Sequence, residues 1–240
     1  MPANVDIKEL LVAGAHFGHK TSRWHPKMAP YIHSKRDGAH IINLEKTVEA
    51  IEKVLPEVEK TAASGKKILF VGTKKQLRET VKEIAESVEM PYVTNRWVGG
   101  MLTNIDTMNK QIRKLADLER RMASGELEKR YSKLDVQHFQ EEIDFLNERY
   151  GGIKNMTEQP AMMIVADMIQ DKNAVKEAGT LGIPVIAIAD TNVDPSVVKY
   201  PIPANDDAIK AVKLIFDYFA TAIKDGKAKA KQTETTKKEG

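Results

Sequence analysis

The sequence predicts an α/β fold: a parallel sheet covered by helices on both faces and interrupted by an inserted helical hairpin. Three observations carry this expectation. Short apolar runs, KILFVGT (67–73), AMMIVAD (161–167) and IPVIAIAD (183–190), alternate with amphipathic stretches of helical period. Such alternation is the pattern of parallel strands joined by crossover helices. Between the first and second of these runs lies Ile105 to Tyr150, a highly charged stretch with one glycine and no proline, which belongs to a different kind of unit.

Taken in order, residues 1–40 show only a short amphipathic stretch (Ile7, Leu10, Leu11) and then a Gly-, His- and Pro-rich segment, and read as irregular. Val48, Ile51, Leu55, Val58 and Ala62 recur at three and four, predicting a helix over Leu44 to Ser64 that Pro56 bends or breaks. KILFVGT is a buried strand ending at Gly72, Lys74 to Val88 a helix, and PYVTN (91–95) a second strand. Ile105, Met108, Ile112, Leu115, Leu118 and Met122 form one apolar seam, and Leu127, Tyr131, Leu134, Ile143, Leu146 and Tyr150 another. Joined at Ser124-Gly125, they predict two antiparallel arms in coiled-coil-like contact, closed by Gly151-Gly152. After AMMIVAD come a helix (Lys172 to Leu181), IPVIAIAD, a short extended edge at YPIPAN and a closing helix from Asp206 to Ala222. The domain reading is therefore 1–104 with 151–223 as one discontinuous α/β unit, 105–150 as the hairpin, and 224–240 as a lysine-rich tail expected to be disordered.

The bulk properties narrow the function. With no cysteine the chain has no disulfide, thiolate nucleophile or cysteine-ligated zinc, which fits a reducing cytoplasm. Its apolar runs are too short to cross a bilayer, and no signal peptide is expected at its start. The net charge of +3 resides in the tail, where six lysines face three acids. Any polyanion contact must come from local patches. Lys66 to Lys82 holds six basic residues against Glu79, while Thr157 to Ile223 holds nine acidic against five basic residues, so one pole is basic and the other acidic.

Three chemistries compete at the predicted strand ends, where α/β sheets place their ligands. VGTKK (71–75), with Lys74 and Lys75 where a strand meets a helix, suits a phosphate, but no complete Gly-rich nucleotide loop is present. A solvated helix start or an RNA phosphate fits the same residues. Asp167, Asp190, Asp194, Asp206 and Asp207 could hold Mg²⁺, act as acid or base, or simply cap a helix start, the reading preferred for Asp206 and Asp207 after Asn205. His16, His19 and His25 could bind zinc. Above these stands RNA. HFGHKTSRWHPKMAPYIHSKRDGAH (16–40) interleaves Lys20, Arg23, Lys27, Lys35 and Arg36 with Phe17, Trp24 and Tyr31, offering cations for phosphates and rings for unpaired bases. Arg96 beside Trp97 forms a second such site, with a core role for Trp97 equally open. The residues expected to contact RNA are His16, His19, Lys20, Arg23, Trp24, Lys27, Lys35, Arg36, Lys74, Lys75 and Arg96, with Arg113, Lys114, Arg120 and Arg121 weaker candidates on the hairpin.

Several long stretches carry a resemblance. AGAHFGHKTSRWHPKMAPYIHSKRDGAHIINLEKT, VGTKKQ, NRWVGGMLTN, GGIKNM, LGIPVIAIADTNVDPS and PIPANDDAIKAV, collinear over about residues 4–223, resemble the bacterial small-subunit ribosomal proteins numbered two. Ala161 and Asn43 stand where that family usually has Asp. The resemblance implies a flavodoxin-like three-layer sheet with a protruding coiled-coil hairpin. It implies binding to 16S ribosomal RNA between head and body of the small subunit, in the cytoplasm. It further implies contact with other small-subunit proteins, including the large flexible protein numbered one. It implies no catalysis and no cofactor, leaving a structural Mg or Zn ion at Asp190, Asp206 and Asp207 or the histidines as an open possibility of the residues themselves.

Overall fold

A computed structural model describes residues 5–238, with side chains described through residue 230. The segment expected to be irregular is instead a small antiparallel sheet. After α1 (Ile7–Val12), capped by the Asp6 carboxylate accepting the Lys8 N–H at 2.7 Å, come β1 (Phe17–Lys20), β2 (Ile32–Arg36) and β3 (Ala39–Ile42), ordered β1-β3-β2. The β2–β3 hairpin turns at Asp37-Gly38, both at positive φ (50° and 77°), where a two-residue turn matches the twist of its strands. Prolines 26 and 30 and two short 3-10 turns interrupt any simple period along the chain, which hid these strands.

Helix α2 (Leu44–Ala63) starts on an Asn43 cap, whose side-chain oxygen accepts the Glu45 N–H at 2.9 Å, and continues through Pro56. Strand β4 (Ile68–Val71) leads into α3 (Arg78–Ser87), which begins four residues later than Lys74, so VGTKK is a turn rather than a helix start. Then follow β5 (Tyr92–Val93), α4 (Ile105–Ala123), α5 (Glu126–Arg130), α6 (Lys133–Tyr150), β6 (Met162–Val165), α7 (Lys172–Thr180), β7 (Val185–Ala189), β8 (Tyr200–Pro203) and α8 (Ile209–Lys238). The second sheet is wholly parallel, in the order β5-β4-β6-β7-β8. Pro201 and Pro203, which lack an N–H, sit on edge strand β8, where a missing donor is tolerated.

Side chains alternate across this sheet and divide the core in two. Ile68, Phe70, Ile164, Ile186, Ile188 and Ile202 pack with apolar residues of α2, α3 and α8. Leu69, Val71, Met163, Val165, Val185 and Ala187 pack with those of α4, α6, α7 and the Trp97–Leu102 loop. Burial on both faces explains why these strands are continuous apolar runs. Each of these Val, Leu, Ile, Phe and Met side chains contributes roughly 1.5–3 kcal/mol.

Helices α4 and α6 share the second core through Met108, Leu115, Leu118, Ile143, Leu146 and Tyr150. Their connection differs from the expected Ser-Gly joint. Gly125 is left-handed, α5 intervenes, and Ser132 restarts the chain in a capping box with Asp135. That restart shifts the helical phase, leaving Leu134 63% exposed although it belongs to the expected seam. The closing helix also departs from expectation, because the segment from residue 224 continues α8 through Lys238 instead of forming a disordered tail; residues 239–240 lie outside the described chain. Gly226 approaches α2 so closely that a Cβ there would overlap the Glu59 carbonyl, and Lys227 donates to the Val88 carbonyl at 2.6 Å.

Candidate nucleic-acid interface

The strands of the parallel sheet deliver their following residues to one edge. Lys74 follows β4, Asp167 and Asp171 follow β6, Asp190 follows β7, and Asp206 and Asp207 follow β8. Lys74 Nζ stands 3.0 Å from Asp167 Oδ2, 2.9 Å from Asp206 Oδ1 and 2.7 Å from Asp207 Oδ1. Burial opposes the Lys74 charge, but the hydrogen bonds it donates to Asp207, Asp206 and Asp167 outweigh it and hold the amine protonated well above its ordinary range. Burial and the neighbouring Asp167 and Asp190 charges push Asp206 up to about 7. Burial likewise raises Asp171 to about 6, although its carboxylate accepts the Thr73 hydroxyl at 2.7 Å and the Thr73 N–H at 3.2 Å. The carboxylates of Asp206 and Asp207, expected to cap the helix start, turn to Lys74 instead, and Asn205 Oδ1 accepts the N–H groups of Asp207 and Ala208 in the turn ahead of α8.

The small sheet is seated on this edge. The His19 N–H donates to Thr191 Oγ1 at 2.9 Å, and its ring lies 3.1 Å from Asp190 Oδ1 and 3.6 Å from Asp207 Oδ2. The Asp190 hydrogen bond raises the His19 pKa against the opposing effect of burial. Gly18 lies where a Cβ would meet Thr191 Cγ2 at 2.5 Å, so only glycine allows this approach. The His25 N–H donates to the Thr191 carbonyl at 2.7 Å and the Asn205 N–H to the Ala15 carbonyl at 3.0 Å. Between sheet and lobe runs a cleft of about 400 Å³, walled by Phe17, Lys20 and Arg23 on one side and by Asp190 and Asp207 on the other.

The lobe, including its side of the cleft, and the loops after β4 and β5 carry open cations. Lys20, Arg23, Lys35, Lys75 and Arg96 are exposed and form no ion pair among the described residues, while Arg36 has only the exposed Asp37 at 3.7 Å. Phe17 and Trp24 expose 53% and 38% of their surface, and the Trp24 ring packs 5.3 Å from buried His40. Unpaired cations beside exposed rings can meet a polyanion with unstacked bases.

A family model described as ribosomal protein S2 matches residues 10–226. The chain belongs to the ribosomal protein S2 family. Among its relatives, a protein of Fusobacterium nucleatum named small ribosomal subunit protein uS2 is 47% identical over 222 residues, covering 92% of this chain and 90% of that protein. Proteins of the same name are 46% identical in Dehalococcoides mccartyi, over 95% of this chain and 93% of the relative, and 45% identical in Bifidobacterium longum, over 93% and 80%.

The predicted site residues of this family member are not gathered in one place. Lys20, Arg23, Trp24, Lys35 and Arg36 share the small sheet and its loops, whereas Lys75 follows β4 and Arg96 follows β5. Lys27 is exposed but engaged, 2.7 Å from both Asp194 Oδ2 and Ser196 Oγ, and its hydrogen bond holds the Asp194 carboxyl well below the usual range. Lys74 is internal to the carboxylate cluster, so of the two lysines in VGTKK only Lys75 is left open to a phosphate. Trp97 is a core residue at 8% exposure. His16, His19 and His25 face different partners: His16 Nδ1 is buried without one, His19 meets aspartates, and His25 Nδ1 accepts the Lys27 N–H. The ligand atoms of His19, Asp206 and Asp207 lie within 4.8 Å of one another, a set able to hold a cation, but Lys74 already occupies oxygens of both aspartates. Sequence reasoning missed Thr191, Gly18 and Arg78. No local pattern marks the first two; Arg78, counted only as charge, bonds the Asn95 carbonyl at 3.1 Å.

Proposed function

We propose that this protein is a structural constituent of the small ribosomal subunit, not an enzyme, and that it binds 16S ribosomal RNA between head and body through the outer face of its N-terminal lobe. The observation that carries the reading is family membership over residues 10–226, together with relatives named as small-subunit proteins. The exposed, unpaired cations support it. Lys20, Arg23, Lys35, Arg36, Lys75 and Arg96 would neutralise phosphates and release counterions, and Trp24 would stack on an unpaired base. His19 and Lys27, tied to Asp190 and Asp194, would hold the lobe in place around those contacts, with His16 beside them as a further candidate for RNA contact.

On the same reading the architecture is a flavodoxin-like three-layer sheet. The strand order, 2-1-3-4-5 in chain sequence, and the two cores on opposite faces support it. Helices α4 to α6 then form a coiled-coil protrusion, supported by their shared apolar seam and by the Lys114–Glu142 pair between arms. The protein would work on the ribosome in the cytoplasm, touching other small-subunit proteins, including the large flexible protein numbered one. Among the described residues no helix is long and apolar enough to cross a membrane.

The test is a salt titration of labelled protein binding to small subunits depleted of it, with duplex RNA as control. One-to-one uptake, preferred over duplex and steeply weakened by salt, is expected. Binding no tighter than to duplex would overturn the reading.

A further inference from the structure

The loop from Asn95 to Asn104 joins β5 to the first hairpin arm and carries Arg96. It holds two adjacent glycines, and several of its N–H groups find their acceptor in one side chain far away in sequence. Glu177, on α7, accepts the Trp97 Nε1–H at 3.0 Å and the Gly100 N–H at 2.8 Å through one oxygen. Its other oxygen accepts the Leu102 N–H at 3.0 Å and the Thr103 N–H and hydroxyl at 3.3 Å. Gly100 sits at φ +85°, a conformation that glycine adopts freely, and its N–H reaches the carboxylate. Burial alone would raise the Glu177 carboxyl, but the donors from Trp97, Leu102, Gly100 and Thr103 outweigh it and keep the group ionised below its ordinary range.

We propose that Glu177 is the positioning residue of the hairpin: one carboxylate that closes the 95–104 loop and thereby sets where Arg96 and the α4–α6 arms stand relative to the sheet. Thr103 is two residues from the start of α4, so movement of the loop becomes movement of the arm. A second tie fixes the loop's beginning. Arg78 donates to the Asn95 side chain at 3.2 Å, and Asn95 Nδ2 donates to the Glu148 carbonyl of α6 at 3.0 Å. Met101 and Leu102 are fully buried beneath the loop, so the carboxylate directs a segment already anchored by apolar packing. The orientation is a property of the protein alone; its consequence for RNA contact rests on the function proposed above.

The chain has no cysteine, so label sites can be introduced cleanly. Spin labels at Lys53→Cys on α2 and Lys129→Cys on α5 report the distance from body to hairpin tip. The parent should give one narrow distance distribution. Glu177→Gln, which keeps the shape but replaces an acceptor oxygen by a donor amide, should broaden and shift it at an unchanged circular dichroism spectrum. Trp97→Phe, which removes one of the five donors, should give a smaller broadening. An unchanged distribution in folded Glu177→Gln overturns the proposal. If Glu177→Gln does not fold, Trp97→Phe decides, with an unchanged distribution again overturning it. An iron chelate at Lys129→Cys should cleave 16S RNA in the parent and lose or shift that pattern in Glu177→Gln, while cleavage from a chelate at Ser22→Cys stays the same. No cleavage from either position in the parent would refute the RNA reading and leave the distance result standing.

Discussion

The N-terminal lobe and the carboxyl edge of the parallel sheet lie against each other, both carry basic side chains, and they treat charge in opposite ways. On the lobe, Lys35 is exposed without an ion pair and Arg36 has only a distant, fully exposed aspartate. On the sheet edge, Lys74 is mostly covered and held within 3.0 Å of three carboxylates. The first arrangement leaves cations for a partner; the second uses its cation to make a dense carboxylate cluster tolerable. The same residue type thus serves cohesion in one region and, on the function proposed above, would serve binding in the other.

The largest expected break in this comparison comes from Lys74→Met. It leaves Asp167 covered without its counter-charge, and should lower stability by about 3 kcal/mol in urea unfolding, at the low end for a buried pair because Lys74 keeps some exposure. A change below about 0.5 kcal/mol, the range of ordinary surface substitutions, would show that Lys74 is as replaceable as the lobe lysines.

A smaller effect is expected from pH. Asp206 and Asp171, raised to about 7 and about 6, stay protonated in the folded chain where the unfolded chain has released its protons. Stability should therefore fall as pH rises from about 4 toward 7, by at most about 1.4 kcal/mol per unit for each proton involved. His19, raised from 6.5, acts in the same direction: its contribution is complete below 6.5 and is lost as pH climbs through its folded value. Asp206→Asn should flatten the slope between 4 and 7, and an unaltered slope would assign it to other groups.

The smallest effect on stability belongs to the lobe. Lys35→Ala with Arg36→Ala should move the unfolding free energy by less than about 0.5 kcal/mol. Yet the salt dependence of rRNA binding should drop by roughly one unit of slope for each phosphate that is no longer neutralised. A pair of variants that unfolds the lobe, or leaves the salt slope untouched, would erase the contrast with Lys74.

Much of the fold was legible because burial on two faces and helical amphipathicity are local patterns. The runs at 67–73, 161–167 and 183–190 contain β4, β6 and β7; the first expected seam lies on α4, while of the second, expected over 127–150, Ile143, Leu146 and Tyr150 lie buried on α6 and Tyr131 and Leu134 are exposed. The small antiparallel sheet was missed although Asp37-Gly38 is a hairpin signal, because its strands are short and mostly exposed on their outer residues. The continuation of α8 past residue 223 was missed because it owes its place to contacts with α2 and with the Val88–Glu89 turn, not to its own apolar content.

What the sequence determined by itself was the α/β alternation, the helical character of the stretch that holds α4 and α6, and the concentration of cations and rings between residues 16 and 40, since each is written in the spacing of neighbouring residues. What only the tertiary structure decided was which charges are left for a partner. Lys74 meets acids 93 and 132 positions away, and Lys27 meets one 167 away. Glu177 closes a loop some 80 positions before it. Electrostatic pairing depends on distance in space and on covering from solvent, and neither is carried by the order of residues along the chain.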